Sequence, residues 1–100
     1  MARHTRLEVL NSVHAAGVVP IFYNADFDTA RSIVLACREG GIRAIEFTNR
    51  GDHAWEVFSE LDRWAASDAP DVILGAGSVM DAPTAALYIA NGANFIVSPA

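Results

Sequence analysis

At 100 residues and 52% hydrophobic content, with no low-complexity run, the chain suits one packed domain, or part of one, rather than a disordered segment. Its net charge of −5 and the lack of a basic stripe argue against a nucleic-acid partner. No stretch approaches a membrane span and the polar start Met1-Ala2-Arg3-His4-Thr5-Arg6 lacks a signal-peptide core, so a cytoplasmic location without a membrane partner is expected.

Thr5-Arg6-Leu7-Glu8 fits a capping box, and Leu7, Leu10, Val13 and His14 recur at helical spacing up to Gly17, which predicts an opening helix. Val18 to Tyr23 is a continuous apolar run, the mark of a parallel strand covered on both faces; Pro20 needs a place where no ladder donor is missed. Asp26 caps the next predicted helix, whose apolar positions are Phe27, Ala30, Ile33, Val34 and Cys37, and Gly40-Gly41 ends it. The single cysteine excludes an intrachain disulfide and reads as core filler.

Arg43-Ala44-Ile45-Glu46-Phe47-Thr48-Asn49-Arg50-Gly51 holds the second predicted strand. Alternation puts Ile45 and Phe47 on one face and Ala44, Glu46 and Thr48 on the other, so a lone carboxylate sits among β-forming residues. An unpaired charge among apolar neighbours is costly; such a Glu is paired, hydrogen-bonded or held with a raised pKa for proton transfer. Arg50, just past the strand end, carries a planar guanidinium able to bind a carboxylate twice over. The two residues read either as a structural ion pair or as a proton-handling group beside an anion clamp.

A further helix places Ala54, Val57, Phe58, Leu61 and Trp64 on one side, with Glu56, Glu60, Asp62 and Arg63 on a solvated face. Of its two tryptophans, Trp55 and Trp64, one or both are expected to pack against the sheet. After the break at Ser67 to Asp71, Val72-Ile73-Leu74 forms a third strand that runs into Gly75-Ala76-Gly77-Ser78. Asp81 caps the last helix, with Pro83 in its first turn, Ala86, Leu87, Ile89 and Ala90 behind it, and Asn91-Gly92 at its close. Phe95-Ile96-Val97 is the fourth predicted strand, followed by Ser98-Pro99-Ala100.

Helix, then strand and helix three times, then strand, in units of about 25 residues, reads as right-handed βαβ crossovers on a parallel sheet. Two α/β architectures share this order: half of a (β/α)8 barrel and a small doubly wound sheet. Both put their chemistry at the C-terminal ends of strands, where this chain gathers Tyr23-Asn24, Thr48-Asn49-Arg50, Gly75 to Ser78 and Ser98-Pro99. That gathering favours the functional reading of Glu46 and Arg50.

Gly75-Ala76-Gly77-Ser78-Val79-Met80 is a poor dinucleotide fingerprint, because Met80 stands where the third glycine belongs. The glycines are expected instead to let a loop backbone approach a ligand, with Ser78 offering its hydroxyl or N–H to an anion. His4, His14 and His53 lie on different elements and none has metal-ligand spacing, so no metal is expected. All seven basic residues are Arg, which rules out a lysine Schiff base within these 100 residues.

Four stretches in order, Val19-Pro20-Ile21-Phe22, Ile45-Glu46-Phe47-Thr48-Asn49-Arg50-Gly51, Leu74-Gly75-Ala76-Gly77-Ser78-Val79 and Gly92-Ala93-Asn94-Phe95-Ile96-Val97-Ser98-Pro99, resemble the 2-keto-3-deoxy-6-phosphogluconate / 4-hydroxy-2-oxoglutarate aldolase family. The resemblance covers essentially the whole chain and implies the barrel: an α/β fold that is the N-terminal half of a (β/α)8 TIM barrel, with four parallel strands and an extra N-terminal helix. It implies a trimeric class I aldolase about twice as long, so residues 1–100 are expected to be half of the domain, truncated after the fourth strand. A free half barrel would expose sheet edges and apolar surface, and association or poor solubility is expected of it.

By resemblance, Glu46 moves protons, Arg50 and Ser78 bind the carboxylate of a 2-keto acid substrate, and Pro99 lines the pocket; Ser78 stands where the family often has threonine and keeps the hydroxyl. Thr48 and Gly77, at the same strand ends, complete the set of substrate-binding candidates. The Schiff-base lysine and the phosphate cradle of the family fall beyond Ala100, and no metal or organic cofactor is implied. The implied reaction cleaves 2-keto-3-deoxy-6-phosphogluconate or 4-hydroxy-2-oxoglutarate to pyruvate and an aldehyde. The absence of lysine keeps a second reading open, a noncatalytic half-barrel module that binds a keto acid or phosphate through Arg50, Ser78 and Gly75 to Gly77. A nucleotide-binding doubly wound domain is a third, weakened by Met80.

Overall fold

In the computed structural model, which describes residues 1–99, the elements run α1 (Arg6–Ala16), β1 (Ile21–Phe22), α2 (Phe27–Glu39), β2 (Ala44–Thr48), α3 (Ala54–Asp68), β3 (Ile73–Gly77) and α4 (Ala82–Ala90). The strands form one parallel sheet in the order β1-β2-β3. Helix starts are set by side-chain caps: Thr5 forms the capping box with Glu8, Asp26 accepts from the Thr29 amide and Asp81 from the Thr84 amide. Gly17, at φ 73°, closes α1 in the left-handed conformation that glycine adopts without penalty.

The register aligns Ile21 with Glu46, and Ala44 to Thr48 with Ile73 to Gly77 in turn. Aligned residues share a face. One face therefore carries Ile45, Phe47, Leu74 and Ala76, all fully buried against Ala30 and Val34 of α2 and Phe58 and Leu61 of α3. A run of rings crosses this layer, Phe22 to Phe47 at 5.5 Å, Phe47 to Phe58 at 6.1 Å and Phe58 to Tyr88 at 5.3 Å. Each such pair adds about 0.5–1.5 kcal/mol beyond the area it buries. The opposite face carries Ile21, Ala44, Glu46, Thr48, Ile73, Gly75 and Gly77; Ile21, on the edge strand, is 66% exposed there.

Four expectations need correction. The fourth segment forms no strand: Ile96 meets Ala76 in an isolated parallel bridge, held by bonds from the Ala76 amide to the Phe95 carbonyl at 3.1 Å and from the Val97 amide to the Ala76 carbonyl at 2.9 Å. Its ladder stops there because the Val97 carbonyl accepts from the Val79 amide instead. The first strand is shorter than its apolar run, starting after Pro20, which gives its carbonyl to the Glu46 amide at 2.9 Å but has no N–H to return. Gly75-Ala76-Gly77 is strand, not loop.

The predicted face of α1 is also only partly right. In α1, Leu7 and Leu10 are exposed, while Val9 is buried with Ala44 and Ile73 and is flanked by Val13 and Phe95. This helix caps the N-terminal end of the sheet, so only one turn's worth of side chains meets the core. In α4, Tyr88 is the buried side chain, and Ala86, Leu87, Ile89 and Ala90 are exposed. A helix apolar nearly all round gives periodicity no face to find.

Candidate functional site

Glu46 lies in the middle of β2, on the face opposite the helix-packed layer. It is 9% exposed, and burial raises the pKa of its carboxyl above its ordinary value. Among the described residues no ion pair joins it to Arg50, so the structural-pair reading of the sequence is not what forms. The carboxylate keeps its place because β3 has no side chain beside it. A Cβ built on Gly77 would lie 2.8 Å from Glu46 Oε2 and 2.8 Å from Val97 Cβ, closer than packed atoms tolerate. Gly75, aligned with Glu46 itself, is filled from the other side by the ring of Phe95, into which a Cβ there would project.

Thr48, half-buried, ends β2 on the same face as Glu46 and is aligned with Gly77. Arg50 follows two residues later and is exposed; among the described residues its guanidinium has no carboxylate partner. Ser78 comes directly after β3 and is exposed, as is Pro99. The Val79 amide donates to the Val97 carbonyl at 2.9 Å, which brings the segment after β3 beside the segment leading to Pro99. All six candidates thus fall on or just beyond the C-terminal halves of β2, β3 and the Ile96 segment. No hydrogen bond or ion pair links Arg50 to Ser78 among the described residues, so what they share is an end of the sheet, not a contact.

This arrangement supplies a desolvated carboxyl able to exchange a proton and, two residues past the end of the same strand, an unengaged cation able to hold an anion. Hollows of about 270 Å³ lie elsewhere, one between Val79, Asp81, Ala85 and Ile96 and another over Trp55, Glu56, Ser59 and Arg63 of α3; neither includes Glu46 or Arg50. Trp55 lines the second hollow at 38% exposed, while Trp64 packs on the core. Among the described residues no three His, Cys, Asp or Glu side chains gather as metal ligands, and no helix is long and apolar enough to cross a membrane. Cys37 packs on the core as a half-buried thiol.

The sequence reading missed Asn49 and Tyr88. The Tyr88 hydroxyl donates to Asn49 Oδ1 at 2.8 Å, and the Asn49 amide donates to the Gly77 carbonyl. An asparagine one residue past a strand, with a tyrosine inside a helix that is otherwise apolar but for Thr84, was the available signal: a phenol buried among such neighbours requires a polar partner.

Residues 9–100 match the family model described as KDPG and KHG aldolase. The chain is 38% identical over 82 residues to a 2-dehydro-3-deoxy-phosphogluconate aldolase from Pseudoalteromonas atlantica, covering 82% of this chain and 36% of the relative. It is 35% identical over 85 residues to an enzyme of the same name from Dickeya dadantii, covering 85% of this chain and 38% of the relative. Among solved structures, the 2-keto-3-deoxy-6-phosphogluconate aldolase of Zymomonas mobilis ZM4 with 3-phosphoglycerate superposes with a TM-score of 0.75 at 27% identity, covering 91% of this chain and 41% of that one. The chain therefore spans well under half the length of these relatives.

Proposed function

Because the chain belongs to the KDPG and KHG aldolase family, we propose that it is the N-terminal half of a (β/α)8 barrel acting as a class I aldolase on 2-keto acids. The single observation that carries this is the desolvated, unpaired carboxyl of Glu46 on the face of a parallel sheet opposite its helix-packed layer, with Gly77 clearing the space beside it. The remaining strands, the fourth strand's full pairing, the Schiff-base lysine and any trimer contacts belong to a longer protein. In it the substrate is 2-keto-3-deoxy-6-phosphogluconate or 4-hydroxy-2-oxoglutarate.

In this reading Arg50 pairs with the carboxylate of the keto acid, helped by the hydroxyl of Ser78, and holds C1 to C3 fixed during the reaction. Thr48, Gly77 and Pro99 shape the same end of the pocket. Once C2 is an iminium to a lysine from outside these residues, Glu46, through a water, takes the proton of the C4 hydroxyl. The C3–C4 bond then breaks: its electron pair passes toward the iminium to give an enamine of pyruvate, and C4 leaves as an aldehyde carbonyl. Glu46 returns the proton to C3, and hydrolysis of the iminium releases pyruvate. A carboxyl whose pKa is raised by burial suits both directions of this transfer.

The test is borohydride trapping with pyruvate on the full-length protein, alongside exchange of deuterium into pyruvate C3. A reduced lysine adduct together with exchange supports the aldolase. Tight pyruvate or phosphate binding without adduct or exchange replaces it with the noncatalytic binding module, the reading favoured by the absence of lysine from these residues.

A further inference from the structure

Asn49 joins Thr48 to Arg50, and it is gripped from two directions. Its backbone amide donates to the carbonyl of Gly77, the last residue of β3, and its side chain receives the Tyr88 hydroxyl at 2.8 Å from α4, thirty-nine residues away. Tyr88 is fully buried, edge-on to Phe58 at 5.3 Å. Its own position is therefore set by the core rather than by the loop. Burial, with a smaller contribution from Tyr23, raises its pKa to about 12, so the phenol stays a donor and Asn49 stays its acceptor throughout the neutral range. On the far side of Arg50, Gly51 takes φ 78°, and a Cβ there would lie 3.0 Å from the Tyr23 hydroxyl. The Arg50 amide donates to the Thr48 carbonyl at 2.9 Å.

We propose that Tyr88 is a positioning residue for Arg50, acting through Asn49; this rests on the reading above, in which Arg50 binds the keto-acid carboxylate. Asn49 is itself exposed, so without Tyr88 its amide turns to water and the start of the β2–α3 loop loses its anchor on α4. Arg50 is exposed and unpaired, so its side chain cannot orient itself through contacts of its own; the backbone it departs from must be fixed instead. A bidentate guanidinium–carboxylate pair is sensitive to such displacement, whereas the proton transfer at Glu46, in the middle of β2, is not.

The experiment is steady-state kinetics of keto-acid cleavage in the full-length protein with Tyr88→Phe, Asn49→Ala, the double variant and Arg50→Ala. Tyr88→Phe and Asn49→Ala are each expected to raise KM about five- to tenfold, the scale of one hydrogen bond, with kcat within about twofold. The double variant is expected to be no worse than either single one, because both cut the same link. Asn49→Ala, at an exposed position, gives the readout should Tyr88→Phe fail to fold. If Arg50→Ala raises KM while Tyr88→Phe and Asn49→Ala leave it at the wild-type value, the positioning role is overturned and the reading of Arg50 stands. If Arg50→Ala leaves KM unchanged, that reading falls and takes this proposal with it.

Discussion

At the N-terminal end of the sheet, Arg3 meets Asp62 at 2.6 Å, Arg38 meets Asp71 at 2.8 Å, Arg43 donates to the Asp71 carbonyl at 2.8 Å, and His4 bridges Glu8 and the Pro70 carbonyl at 3.0 Å each. At the C-terminal end, Asp26 and Asp81 are engaged as helix caps and His53 pairs with Glu56, but Glu46 and Arg50 have no such partner among the described residues. Pairing at the first end fixes the loops and the N-terminal segment. The unpaired carboxyl at the second end costs stability, since burial disfavours its charge, and the proton transfer proposed for Glu46 would give that cost a use.

Glu46→Gln breaks this contrast most severely. In the full-length protein it should lower kcat about 10²- to 10⁴-fold, the scale of a lost general acid–base, while leaving KM near wild type. An unchanged turnover would remove Glu46 from the proton path. Arg50→Ala should raise keto-acid KM about 10- to 100-fold, as loss of a charge-assisted contact does; calorimetric titration with pyruvate gives the same comparison without turnover.

Gly77→Ala tests the space rather than the charge. Its Cβ meets Glu46 Oε2 and Val97 Cβ at 2.8 Å, so the variant should lose about 1–3 kcal/mol of stability by overpacking and also lower kcat by displacing the carboxyl. Denaturant midpoints and kcat falling together would link the two effects; a stable variant with normal turnover would mean that the glycine does not hold Glu46 in place. Arg3→Ala, at the opposite end, should cost about 1 kcal/mol or less, with kinetics untouched.

How far the sequence alone carries depends on where each residue's environment comes from. Caps and stops were legible, because Thr5 with Glu8, Asp26 with Thr29 and Asp81 with Thr84 are local exchanges of hydrogen bonds. So was the helix-packed layer of β2 and α3, where alternation and helical spacing agree with burial at Ile45, Phe47, Phe58 and Leu61. The partner of Asp62 was not: Arg3 lies fifty-nine residues away, and a charge on an amphipathic helix looks solvated in any local pattern. Nor was the reason for Gly75 and Gly77, which lies in Phe95, Glu46 and Val97 on other segments. Glu46 stood out because alternation set a carboxylate inside a strand, while the Tyr88–Asn49 link needed the fold to bring α4 against the end of β2.

The smallest expected effect separates the two ends by the sign of their response to pH. Burial raises the pKa of Glu46 above its ordinary 4.5. Between that value and the raised one, the folded state holds a proton that the unfolded chain has released, so stability falls as pH rises through the window and levels off above it. The Arg38 side-chain hydrogen bond, ahead of its charge, holds Asp71 below its ordinary 3.8. That contribution is complete above 3.8 and is lost as pH falls through the depressed value. Denaturant midpoints measured against pH should therefore show Glu46→Gln flattening the fall above pH 4.5 and Asp71→Asn removing part of the acid-side loss, each without altering the other. A Glu46→Gln profile parallel to wild type above pH 4.5 would mean that its carboxyl is solvated in the folded protein, and the contrast between paired charges at one end and an unpaired, desolvated carboxyl toward the other would no longer hold.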